Sequence, residues 1–195
     1  TDFKVGVRVL SGRSFFAYAD DLEVEIGCGK GLFLAEQAAL YPQKYFLGIE
    51  AAGAYAHQAE DRLRRRGLKN VQILSWSAEI VLPFFVSQSV NRFHIYFPDP
   101  WPKRRHAKRR LWTEGFLKEL ERVLKDDGKI YFATDVRSYF EAVQKISENQ
   151  ESPFIIERKE NVRFFEDASY STTYENKFRE EGRELYFVSL IKKGR

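Results

Sequence analysis

Residues 22–50 decide the fold: Leu22-Glu23-Val24-Glu25-Ile26, then Gly27-Cys28-Gly29-Lys30-Gly31, then the run Leu32 to Leu40, and finally Tyr45-Phe46-Leu47-Gly48-Ile49-Glu50. Leu22, Val24 and Ile26 alternate with two glutamates, the two-residue period of a strand. Five residues with three glycines can only be a tight turn. The apolar run beyond them is helical, and Pro42 ends it. Tyr45 to Ile49 is a second strand closing on Glu50. Strand, turn, helix, strand is the unit of a parallel sheet.

The same alternation continues outward. Ala51 to Arg66 reads as a helix with Gly67 placed to cap it, Val71 to Leu74 as a strand, and Ala78 to Phe85 as a short helix interrupted by proline. Arg92 to Phe97 is the fourth strand. Leu111, Phe116, Leu117, Leu120 and Leu124 lie at helical spacing, and Asp126-Asp127-Gly128 turns the chain into the strand Lys129 to Ala133. Val136 to Ser147 is a helix, Phe154 to Ile156 a short strand, and Leu185 to Ile191 a closing strand. No long helix separates those last strands. The expected architecture is therefore α/β, with a mainly parallel sheet, helices on both faces and an antiparallel C-terminal edge.

A chain of 195 residues fits one domain, here 1–195, with 1–20 as an N-terminal extension of unclear pattern. Thr1 in place of a starting Met leaves room for residues upstream. The polar stretch 158–183 reads as a mobile, substrate-handling loop. Neither an internal repeat nor a low-complexity linker interrupts the pattern. Hydrophobic residues make up 44% and charged residues 31%, an ordinary globular balance. No apolar run approaches the roughly 18 residues of a membrane span, and no signal peptide stands at the start. A lone cysteine, Cys28, excludes an internal disulfide framework and suits a reducing cytoplasm. Three histidines without a Cys/His cluster argue against a metal site.

Charge is concentrated in one place. Phe97-Pro98-Asp99-Pro100-Trp101-Pro102 is held extended by its prolines and runs into Lys103-Arg104-Arg105-His106-Ala107-Lys108-Arg109-Arg110. Those six cations exceed the net charge of +4, so the remainder of the chain is net acidic. Basic side chains beside an indole suit a polyanion, whose phosphates take the cations while its bases stack on rings. A solvated charge run is the competing reading. A second basic group, Arg62, Arg64, Arg65, Arg66 and Lys69, sits at a helix C-terminus, where the helix dipole alone accounts for cations.

Ligands of parallel sheets bind outside the carboxyl ends of the strands. That rule collects Glu25 with Gly27, Gly29 and Gly31 from the first strand, Glu50 from the second, Ser77 from the third, Asp99 from the fourth and Thr134-Asp135 from the fifth. The loop spacing G-x-G-x-G departs from the dinucleotide fingerprint, and the residue after Lys30 is neither Ser nor Thr, which excludes a P-loop. An E-x-G-x-G-x-G loop with an acid at Glu50 is instead the pattern of S-adenosylmethionine-dependent methyltransferases. Glycines let the backbone approach a cofactor, and a strand-end carboxylate can hold ribose hydroxyls.

The order E-I-G-C-G-K-G, G-I-E at Gly48 to Glu50, F-P-D-P-W-P-K-R-R-H-x-K-R-R, Thr134-Asp135 and T-x-x-E at Thr172 to Glu175 resembles the bacterial tRNA (guanine-N7)-methyltransferases over residues 20 to 190. The resemblance implies a Rossmann-like methyltransferase fold, S-adenosylmethionine as cofactor and methylation of a guanine in the tRNA variable loop. It implies cofactor contacts at Glu25, Gly27, Gly29, Gly31, Glu50, Ser77 and Asp99, with Asp99 at the junction of cofactor and base as the catalytic residue. Lys103, Asp135, Thr172 and Glu175 become substrate contacts. The family usually carries Asp-Ala where this chain has Ser77-Ala78, a change from charged to neutral acceptor worth about 1 kcal/mol.

The chemistry agrees. Guanine N7 is unprotonated at neutral pH, so no general base is needed, and His106 is read as a phosphate or backbone contact. Positive charge passes from sulfur to purine, which a carboxylate such as Asp99 complements. Cys28 is read as a small turn residue, and Trp112 as core. Two alternatives stay open: a related enzyme acting on an exocyclic amino group, and a catalytically silent RNA-binding protein. Oligomeric state is not legible.

Overall fold

A computed structural model describes residues 21–99, 111–148, 151–160 and 172–193. Among these residues seven strands form one sheet: β1 (Leu22–Ile26), β2 (Tyr45–Ile49), β3 (Val71–Leu74), β4 (Val90–Tyr96), β5 (Leu124–Thr134), β6 (Phe154–Glu160) and β7 (Tyr186–Lys192). Their order across the sheet is β3-β2-β1-β4-β5-β7-β6. β1 to β5 pair in parallel, whereas β7 runs antiparallel to both β5 and β6. The antiparallel C-terminal edge is thus as the pattern implied. Order reverses beside β1, so the carboxyl ends of β1 and β4 open a crevice between them.

Among the described residues six α-helices, α1 (Leu32–Leu40), α2 (Gly53–Arg65), α3 (Ala78–Val81), α4 (Glu114–Val123), α5 (Arg137–Glu148) and α6 (Thr173–Glu180), cover the two faces. Alternation along β1 sorts the core. Leu22, Val24 and Ile26 pack with Val81, Phe116, Leu120 and Val143 of α3, α4 and α5. On the opposite face, Phe33 and Leu34 of α1 and Ala59 and Leu63 of α2 pack on Phe46, Val71 and Tyr96. Glu23 and Glu25 point to this second face, and both are buried. Trp112 is core, as read from the sequence.

Helix ends follow local chemistry. Gly67, at φ +66°, accepts the left-handed turn after α2, with Gly67 N–H bonded to Arg64 O and Leu68 N–H to Leu63 O. Thr113 caps α4 by accepting the Phe116 N–H at 3.3 Å, so that helix starts at Glu114 rather than Leu111.

Two other expectations need correction. Asp126-Asp127-Gly128 does not precede β5 but lies within it. The ladder steps from Val90↔Leu124 to Arg92↔Lys129, so the extra residues bulge while the strand pairs on both sides. The stretch 158–183 is not simply loop: β6 runs to Glu160, and α6 occupies Thr173–Glu180. Thr172 and Glu175 form the start signal of that helix, with the Glu175 N–H donating to Thr172 Oγ1 at 3.0 Å. No described helix is long and apolar enough to cross a membrane.

Candidate active site

The glycine turn after β1 is assembled by backbone donors. Gly27 and Cys28 N–H groups bond to Ile49 O at 2.8 and 3.2 Å, tying the turn to the end of β2. Gly29 donates its N–H to Glu50 Oε2 at 2.8 Å, and Ala52 donates to Oε1 at 2.8 Å. One carboxylate therefore joins the turn after β1 to the start of α2. Gly31 has φ +67°, and a Cβ there would stand 2.8 Å from the Ala59 Cβ. That glycine serves both the left-handed turn and the close approach of α1 to α2.

Two hollows adjoin this turn. A cavity of about 220 Å³ is lined by Glu25, Cys28, Phe33 and Thr172 among others, and a larger one of about 490 Å³ by Glu50, Asp99, Asp135 and Arg183 among others. Gly27, Gly29, Tyr55, Tyr96 and Phe97 line both, so the two meet along the glycine turn and the end of β4.

Glu25 is 5% exposed, and its Oε2 has no hydrogen-bond partner among the described residues. Burial, reinforced by the nearby Glu50 carboxylate, pushes its pKa well above the usual carboxylate range. A buried acid without a partner at the wall of a cavity is suited to a ligand that donates hydrogen bonds or carries positive charge. Burial likewise raises the Cys28 thiol, with Glu25 and Glu50 adding to the effect, so Cys28 is an inert packing residue.

The far wall comes from β4, β5 and α6. Phe97 sits at φ +49°, uncommon for a bulky side chain, while its N–H bonds to Ala133 O at 2.7 Å. Its ring meets Phe178 of α6 edge-on at 5.4 Å, and Arg183 stacks on the same Phe178 at 4.4 Å. Arg183 also pairs with Asp135, Nη1 to Oδ2 at 2.7 Å. Pro98 and Asp99 follow Phe97 into the larger hollow, with Asp99 exposed at its mouth.

Of the residues read from the sequence, Glu25, Gly27, Gly29, Glu50, Asp99, Asp135 and Thr172 line the two hollows. Gly31 shapes the turn behind them. Ser77 leads into α3 with its carbonyl accepting from Ile80 and Val81, and it lines neither hollow. Glu175 is buried and pairs with Arg179 at 3.0 Å, in the first turn of α6 and outside both linings. Lys103, Trp101, His106 and the basic run lie outside the described residues. Arg66 of the second basic group pairs with Glu36 at 2.6 Å, and Arg64 with Asp61. That group ends α2, whose other end adjoins Glu50, so about 10–16 Å of helix separates Arg62 to Arg66 from Tyr55 at the hollows. Among the described residues, no group of three or more His, Cys, Asp or Glu side chains can hold a metal.

Tyr55, Tyr96, Phe97, Lys177 and Arg183 were missed by sequence reasoning. Only Tyr96 and Phe97 carried a signal, as the end of β4 just before the proline stretch.

A family model described as "Putative methyltransferase" matches residues 20–188. A tRNA (guanine-N(7)-)-methyltransferase of Geobacillus kaustophilus is 36% identical over 181 residues, covering 92% of this chain and 83% of that protein. A second enzyme of the same name, from Staphylococcus epidermidis, is 34% identical over 173 residues, covering 88% and 80%. The crystal structure of a SAM dependent methyltransferase from Aquifex aeolicus superposes with a TM-score of 0.61 at 16% identity, over 97% of this chain and 84% of that one. That likeness speaks to the fold, while the sequence identities speak to descent. The chain belongs to the tRNA (guanine-N7)-methyltransferase family.

Proposed function

We infer that this protein transfers a methyl group from S-adenosylmethionine to N7 of a guanine in the variable loop of tRNA. The observation that carries the reading is the pair of joined hollows at the strand ends, with buried Glu25 on one wall and Asp99 at the mouth, in a chain of this family. The residues fit the cofactor. Glu25 offers an unpartnered carboxyl to a cationic ligand, and each Glu50 oxygen keeps a second lone pair beside the one its backbone donor occupies.

S-adenosylmethionine, when bound, supplies the activated methyl group. Glu25 and Glu50 hold the donor, the Gly27–Gly31 turn lets it approach the backbone, and Ser77, which lies outside both linings, offers a neutral acceptor after the third strand. Asp99 orients the base and complements the positive charge that develops on the purine. Asp135 is held in place by Arg183 and takes hydrogen bonds from the guanine edge. Thr172 and Glu175 contribute through the start of α6, on the wall facing the turn. Lys103 and the basic run after it meet tRNA phosphates. The lone cysteine suits a reducing cytoplasm.

Methylation of unfractionated tRNA with labelled donor, followed by nucleoside analysis, tests this reading. Label is expected in 7-methylguanosine; label in amino-methylated nucleosides would replace N7 by an exocyclic nitrogen as the acceptor.

A further inference from the structure

On the α1/α2 side of the sheet, β1 and β4 carry a row of polar side chains that methyl transfer does not directly use. Glu23 of β1 is 3% exposed and is met from three directions. His94 Nε2 lies 2.8 Å from its Oε2, while Lys44 Nζ lies 2.8 Å and Arg92 Nη1 3.1 Å from its Oε1. The other ring nitrogen of His94, Nδ1, lies 2.8 Å from the Tyr96 hydroxyl. Phe33 packs on the imidazole at 4.8 Å and Tyr131 stacks on it at 5.4 Å between ring centres.

The proton positions in this chain follow from charge. Burial opposes ionisation of Glu23, yet the hydrogen bond and attraction of His94, the Lys44 hydrogen bond and the Arg92 charge hold its pKa down to about 2. An ionised carboxylate only accepts, so His94 Nε2 carries a proton and donates it. Lys44 and Arg92 take the other carboxylate oxygen, which leaves Oε2 to the ring. With a single ring proton, on Nε2, Nδ1 accepts the Tyr96 O–H, so one ring links Glu23 to Tyr96.

Tyr96 is the last residue of β4 and lines both hollows. Directly after it come Phe97, in its left-handed conformation, then Pro98 and Asp99. We propose that Glu23, His94 and Tyr96 form a positioning relay that fixes the end of β4, and through it the loop presenting Asp99. His94 and Glu23 touch no substrate; they act by fixing Tyr96. The proposal rests on the reading of Asp99 as the carboxylate at the reacting base.

Two measurements test it. Imidazole ¹⁵N spectra of the wild-type protein report which ring nitrogen is protonated. The chain has three histidines, so His57→Gln and His106→Gln variants assign the His94 signal by elimination. A proton on Nε2 is expected, since the ionised Glu23 carboxylate can only accept; a ring with bare Nε2 overturns the relay. The second measurement is the single-turnover methylation rate at saturating donor and tRNA, at a temperature where every variant is folded. Tyr96→Phe and His94→Phe should each slow it roughly tenfold, and the double variant should also lose roughly tenfold, not a hundredfold. Unchanged single-variant rates, or losses that multiply, overturn the relay. A wild-type protein that makes no 7-methylguanosine would instead overturn the proposed function, and the ¹⁵N spectra would still decide the relay.

Discussion

The Glu50 carboxylate accepts the Gly29 N–H at 2.8 Å, so the acid that ends β2 is fastened to the glycine turn that ends β1. Its other oxygen accepts from Ala52. The residue read from the sequence as a ribose ligand is a structural fastener in the fold, and that changes what its removal should do.

Glu50→Ala should weaken donor binding by about 1.5–3 kcal/mol, the range for charge-assisted hydrogen bonds. It should also lower thermal stability, by about 1–2 kcal/mol, because two backbone donors lose their acceptor. Calorimetric titration with the demethylated donor and a thermal melt read the two effects separately. Unchanged donor affinity with a lowered melting temperature would leave Glu50 a fastener only.

Glu25 carries a pH signature. Its folded-state pKa is raised by burial and by Glu50, so above the unfolded value of roughly 4.3 the folded protein retains a proton that the unfolded chain has lost. Stability therefore falls as pH rises from that value toward the folded pKa, and is fully present below it. Glu25→Gln should abolish this slope and make the donor-free protein more stable at pH 8, by about 1–3 kcal/mol, while weakening donor binding. Denaturant unfolding of both proteins at pH 5 and pH 8 checks the sign. A wild-type advantage that grows with pH would contradict it.

Asp99→Asn keeps shape and some hydrogen bonding but removes charge. The single-turnover methylation rate should fall about 10²-fold, with tRNA affinity little changed, if its electrostatic contribution resembles that of other preorganised sites. A near wild-type rate would make Asp99 a turn residue. Lys103→Ala should show the reverse balance, with weaker tRNA binding dominating.

Replacing Arg104, Arg105, Arg109 and Arg110 with Gln should raise the tRNA dissociation constant and flatten its dependence on salt, by roughly one unit of slope for each phosphate no longer neutralised. Donor affinity should stay the same. Filter binding across a salt series measures the slope, and a slope equal to wild type would show the run to be a solvated face.

Local pattern was enough to define most of the elements and to name several of the residues that line the two hollows. Leu22-Glu23-Val24-Glu25-Ile26 and the glycine turn are legible because strand period, turn and helix period are local properties of the chain, and the strand-end rule then collects Glu25, Glu50, Asp99 and Asp135 without coordinates. It was also sufficient to expect the antiparallel edge, since no helical pattern long enough for a clear crossover separates the last strands; the helix that does form there, α6, has eight residues. Pairings between residues far apart in the chain needed the folded molecule. Arg183 meets Asp135, and His94 meets Glu23, across 48 and 71 positions. The polar residues Glu23, Arg92, His94 and Tyr96 were visible as alternation on two strands, but which faces which depends on the register Glu23↔Arg92 and Glu25↔His94. A capping signal such as T-x-x-E was equally visible and equally ambiguous. It became the start of α6 because Phe178, one turn on, finds Phe97 and Arg183 to pack against. Periodicity sets which segments are strand or helix; burial against distant partners sets which polar atoms are held and which, like Glu25 Oε2, have no partner among the described residues.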